Sequence, residues 1–132
     1  MKLCGLDFET ANSCNGSICS VGVAIVENGV VLERKEYLIK PHKSLDWMSK
    51  FCRDIHGITY EDLRESPEFS EVWQSVKQLL ISADCVVIHN ARLTFDICVM
   101  FCHCIIYSQC HLIMCAVYNF VDIIFLKLIL TV

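Results

Sequence analysis

Asp7 and Glu9 are the first residues in the chain with a chemistry to offer. They lie two apart at the end of a short apolar run, Lys2–Phe8, and the period of a strand puts both side chains on one face. Like charges on one face repel and add nothing to packing. A divalent cation between them would convert the repulsion into coordination. A solvated strand end gives the same spacing and is the commoner case. The third acid is Asp96, which follows a buried-looking run, Cys85–Ile88. A parallel pairing of that run with the first would bring Asp96 to the carboxyl end of the sheet, where sites in open α/β folds form. A first-turn acid favoured by the helix macrodipole is the plainer alternative. The ten cysteines include no C-x-x-C pair, so the commonest zinc and redox spacings are missing.

These acids need elements to hold them. Lys2–Phe8 reads as a strand, and Ile18–Val26, rich in β-branched residues, as a second. Asn28-Gly29 between Ile18–Val26 and Val30–Ile39 is a hairpin signal, because both residues tolerate positive φ. The middle of Val30–Ile39 is charged, so one face or edge of that strand is solvated, and Pro41 ends it. Residues 42–58 are expected to be irregular or to hold a short helix around Trp47–Asp54. Thr59 followed three residues later by Asp62 resembles a capping box and predicts a short helix over 60–65. Ser66 as N-cap and Pro67 at the first helical position predict a helix running to about Ile81. Its apolar face would hold Phe69, Val72, Trp73, Val76, Leu79 and Leu80. Cys85–Ile88 is a buried, parallel strand by its continuous apolar run, and a further helix is expected to begin near Thr94. Three antiparallel strands, helices, a parallel strand and a helix make a mixed α/β sheet.

Four segments occur in one order: DFETAN at 7–12, SICSVGVAIVENG at 17–29, IHGIT at 55–59, and VVIHNA at 86–91 with FD at 95–96. Together they resemble the DnaQ-like, DEDD-type 3′–5′ exonucleases, over about residues 1–100. The resemblance implies an RNase H-like fold and hydrolysis of phosphodiester bonds at the 3′ ends of single-stranded DNA or RNA. The metals implied are two Mg²⁺ or Mn²⁺ ions, and the setting a polymerase or repair complex. It makes Asp7, Glu9 and Asp96 the catalytic, metal-binding acids. Thr10, Ala11, His56 and Asn90 become the positions near the terminal nucleotide. His56 would fix a loop there, with Gly57 allowing a tight turn. His89, one residue before Asn90, would shape the strand–helix turn rather than take part in the chemistry.

The chain departs from that family in two places. Its second motif reads HNA-Arg92-Leu93-Thr94-FD, two residues longer than the usual spacing, and two residues turn a helix by about 200°. The family's third motif, a histidine followed five residues later by an aspartate, has no match: His103 is followed at that spacing by Ser108 and His111 by Ala116, and Asp122 is preceded by Val117. A general base and a fourth acid are therefore missing from the pattern.

Composition sharpens the division. At 55% hydrophobic and 20% charged the chain is neither disordered nor fibrous. Its net charge of −4 argues against a protein held to nucleic acid mainly by a basic surface, though not against one whose acids carry metal ions. Beyond residue 96 only Asp122 and Lys127 are charged, while five cysteines crowd 98–115. We expect residues 1–100 to form a partial exonuclease-like domain, incomplete at its C-terminus, and 101–132 an atypical apolar, Cys-rich tail, as from an alternative exon, intron read-through or a shifted reading frame. A membrane span over Leu112–Val132 is disfavoured by Asn119, Asp122 and Lys127, and a zinc site among Cys98, Cys102, His103, Cys104, Cys110, His111 and Cys115 by their irregular spacing. The absence of an opening signal-like run points to reduced thiols and a cytoplasmic or, in a eukaryote, nuclear location.

Overall fold

The computed structural model describes residues 1–90, 93 and 115–116. Its centre is β1 (Lys2–Thr10), flanked on one side by β2 (Ile18–Glu27) and β3 (Val30–Leu38), and on the other by β4 (Cys85–Ile88) and the two-residue β5 (Cys115–Ala116). The order across the sheet is β3-β2-β1-β4-β5. The first three strands are an antiparallel meander, whereas β4 pairs parallel with β1, Leu6 opposite Ile88. This is the RNase H-like mixed sheet expected from the sequence. The β2–β3 hairpin closes through Asn28 at φ 51° and Gly29 at φ 81°, the primed turn whose twist matches that of the strands. β3 lies at the edge, and Arg34, Lys35 and Glu36 on it are exposed.

Alternation along β1 sends Cys4, Leu6 and Phe8 into the core and leaves Asp7 and Glu9 on the other face. Helix α2 (Phe69–Ile81) covers the core face with Val72, Trp73, Val76 and Leu80 buried, and Phe69 and Leu79 packed at the margin. Phe69 stacks on Trp73, ring centroids 5.5 Å apart, and touches Phe8. Thus the apolar face legible in the sequence is the one that packs on the sheet. A second, smaller cluster joins Ala11, Cys19, Ile58 and Leu63 beyond the end of β1.

Three helix starts differ from expectation. The first helix, α1 (Lys50–His56), begins later than predicted and ends on Gly57 at φ 78°, whose N–H bonds the Arg53 carbonyl, a left-handed cap that glycine takes without strain. Thr59 and Asp62 do exchange hydrogen bonds, but residues 60–65 form successive turns with three-residue bonds instead of a helix. Ser66 is not the cap of α2. The Lys40 N–H reaches the Pro67 carbonyl at 2.8 Å, and Lys40 bridges Glu68 in parallel, so Pro67 and Glu68 stay extended. Glu68 then caps, its side chain taking the Glu71 N–H while the Glu71 carboxylate takes that of Glu68. A contact between residues far apart in sequence has moved the helix start by two residues.

Candidate metal and nucleic-acid site

Where β1 and β4 end side by side, the chain brings together groups 82 residues apart. The register that sets Leu6 opposite Ile88 puts Asp7 and His89 next along each strand. The His89 N–H bonds the Leu6 carbonyl at 3.0 Å, continuing the ladder one step beyond β4. Its ring Nδ1 lies 3.0 Å from Asp7 Oδ1, with both side chains about one-quarter exposed. A carboxylate only accepts, so Nδ1 carries the proton. Directly after His89 the chain turns at Asn90, φ 48°, and the Asn90 Oδ1 takes the N–H of Leu93 at 3.5 Å, a long bond at the opening of the next helix, in which Leu93 already lies. Asn90 spends its amide oxygen on the turn.

Glu9 shares the Asp7 face by strand parity, and its Cα partner on β2 is Ser20. The buried Ser20 hydroxyl donates to Glu36 Oε1 at 2.7 Å. Asp7, Gly22 and Glu36 lie in one cross-strand row. With glycine in the middle and nothing within 4 Å of where its Cβ would be, no side chain separates the two acids. Glu36 was not singled out by any motif. Only the strand register, once known, places it on the acidic face. The face is felt by Cys19, whose thiol is pushed up to about 12 by burial first and by the charge of Glu9 second, so it stays protonated and unreactive.

The other sequence-assigned residues gather just beyond the end of β1, around a different kind of centre. Ala11 is buried in the second cluster, its N–H on Ser17 O and its carbonyl taking the Ser49 N–H. Its side chain belongs to packing, not to a ligand surface. His56 takes the Ile58 N–H on Nδ1 at 3.0 Å and, through Nε2, reaches the Thr10 carbonyl at 3.2 Å, with Cys19 Sγ at 3.9 Å. Both ring nitrogens are thus engaged by the protein, and the ring is a brace on the backbone of Thr10. Burial holds its pKa below the usual histidine range, consistent with a neutral ring whose Nδ1 must accept. Asn12, unassigned in the sequence, is fully buried. Its Nδ2 donates to the Leu45 and Trp47 carbonyls, both at 2.9 Å, and its Oδ1 takes the Cys14 N–H. Thr10, the last residue of β1, is partly exposed. Asp96 lies outside the described residues, as do the helix expected to carry it and the candidate tail residues apart from the Cys115–Ala116 backbone.

Among the described residues no three histidine, cysteine or acidic side chains converge on one point. The donors that do share the face, Asp7 and Glu9, are hard carboxylate oxygens, the donor type Mg²⁺ and Mn²⁺ take. Among the described residues no helix is long and apolar enough to cross a membrane.

Residues 4–127 match the family model described as RNase_T, Exonuclease, and the chain belongs to this exonuclease family. The match runs past residue 100 into the apolar segment. The chain is also 29% identical over 87 residues to the PolC-type DNA polymerase III of Mycoplasmopsis pulmonis (strain UAB CTIP), covering 64% of this chain and 6% of that protein. Among solved structures, exonuclease X in complex with 5′ overhanging duplex DNA superposes with a TM-score of 0.59 at 22% identity, over 72% of this chain and 52% of that one. The nuclease domain of 3′hExo, a DEDDh family member bound to rAMP, superposes with a TM-score of 0.60 at 16% identity, over 75% and 58%. The chain thus spans a small part of the polymerase and about half of each nuclease. At these identities the structural likeness establishes the fold.

Proposed function

We propose that this chain is a metal-dependent exonuclease domain acting on the 3′ ends of single-stranded DNA or RNA, 3′ to 5′, with turnover that is very weak or absent. The observation that carries the reading is the pair Asp7 and Glu9 on one face at the carboxyl end of β1, beside the end of a parallel neighbour. In this reading Asp7, Glu9 and Asp96 hold Mg²⁺ or Mn²⁺. When bound, the ions supply activation of water and neutralisation of charge on the scissile phosphate. The protein's own part is positional. Asp7 and Glu9 fix where cations gather. Thr10, its carbonyl braced by His56, ends the strand that carries both acids, and Asn90 sets the turn that follows His89. Exposed Trp47, Phe51 and Ile55 lie on the segment that Asn12 and Ala11 tie to the end of β1. They offer apolar surface on which unpaired bases can stack.

Weak turnover follows from the missing His…Asp pair in the sequence, since a positioned base contributes about 10²–10⁴-fold. The same observation favours a second reading, a remnant that binds nucleic acid or a partner without cutting. The polymerase relative supports a polymerase or repair complex as the setting of this reading. The test is degradation of a 3′-labelled oligonucleotide with Mn²⁺. Slow loss from the 3′ end that Asp7→Ala removes supports the exonuclease reading. Oligonucleotide binding with no cleavage supports the remnant, and loss from the 5′ end or by internal cuts overturns both.

A further inference from the structure

His89 was read from the sequence as a residue of the turn, and the structure gives it a second task. Its backbone is locked by the Leu6 carbonyl, its ring stands over β1, and Nδ1–H meets Asp7 Oδ1 at 3.0 Å. A carboxylate on two torsions at a partly open strand end samples several orientations, each placing its oxygens differently. A donor fixed on the neighbouring strand selects one, at no further entropic cost when a cation arrives.

We infer that His89 is the positioning residue for the first acid: by holding Oδ1 it presets the Asp7 carboxylate for a divalent cation. The inference rests on reading Asp7 as a metal ligand. Its logic is that of outer-shell partners generally, whose loss costs about 10–100-fold in metal affinity. His89 is positioned to do this because it directly follows β4 and does not come from the strand that carries Asp7. The β1–β4 pairing and the metal site are therefore coupled, and an error in register would misplace the donor.

Two substitutions separate the donor from the bulk of the ring. Asn places its amide nitrogen near the position of Nδ1, whereas Gln places it near Nε2, leaving Asp7 without its partner. The experiment is calorimetric titration of the full 132-residue chain with Mn²⁺, with circular dichroism to confirm that each variant is folded. We expect His89→Gln and His89→Ala to weaken Mn²⁺ binding about 10–100-fold and His89→Asn to stay within about threefold of the wild type. If His89→Ala does not fold, the Asn and Gln pair still decides the matter. Equal affinity for Asn and Gln, with Asp7→Ala abolishing binding, overturns the role of His89 and leaves the metal site standing. Wild-type protein that takes up no Mn²⁺, indistinguishable from Asp7→Ala, overturns the metal site and the inference with it.

Discussion

The two histidines near the end of β1 show how differently one fold treats the same side chain. His56 sits among groups that use both its nitrogens, beside a buried asparagine whose amide is also fully engaged. His89 stands a quarter exposed over an acid that shares its face with another acid. The first centre is closed and satisfied, and it behaves as structure. The second concentrates like charge at a strand end, which costs stability and has a use only when something positive arrives. A site is recognised less by residue type than by what its neighbours have left unresolved.

Asp7→Ala should break the comparison most sharply. It removes the Mn²⁺ binding detectable by calorimetry and any residual degradation. The unfolding midpoint changes little, because the lost hydrogen bond to His89 is offset by removal of a like-charge neighbour of Glu9. A large loss of stability would place Asp7 in the closed class with His56. Next in size is Asn12→Ala, which removes a fully buried amide that ties two carbonyls and one N–H through part-buried bonds. Water can reach part of what is freed, so urea unfolding should show a destabilisation of about 1–3 kcal/mol, while metal affinity of the folded fraction is retained.

Smaller and directional is the pH response of His56. Its folded pKa lies below the ordinary value of 6.5, so the unfolded chain binds the proton first as pH falls. Stability from this group is complete above about pH 6.5 and is lost below it until the folded pKa is reached. The urea midpoint should therefore drop between about pH 7.5 and about pH 5.5, and drop less in His56→Gln. Equal drops would show that the brace is not what titrates. The smallest effect is expected at the hairpin: Gly29→Ala forces a Cβ onto φ 81° and should cost about 1 kcal/mol, with Mn²⁺ binding unchanged.

What the sequence disclosed was local. The runs that became β1 to β4 are contiguous, the Asn-Gly turn is short-range chemistry, and the spacing of Val72, Trp73, Val76 and Leu80 is one helix face. The start of α2 escaped because Lys40 holds Pro67, a contact no window around Ser66 contains. The loop-fixing role expected of His56 agrees with its bonds to Thr10 and Ile58, whereas the burial of Ala11 was not legible, because a motif does not say which way a side chain turns. Glu36 and the His89–Asp7 contact depend on strand register, which only assembly reveals.

That dependence has a temporal side. The meander of β1, β2 and β3 is built from neighbours in sequence and can close early, but Asp7 meets His89 only after 82 more residues exist. At roughly 5–20 residues per second of synthesis, the first acid waits on the order of 4–16 s on the ribosome before its partner is made. For that interval a nascent chain carries paired carboxylates with no preset geometry. The parallel β1–β4 closure, being long-range and slow, is the step at which an assembled sheet becomes a site.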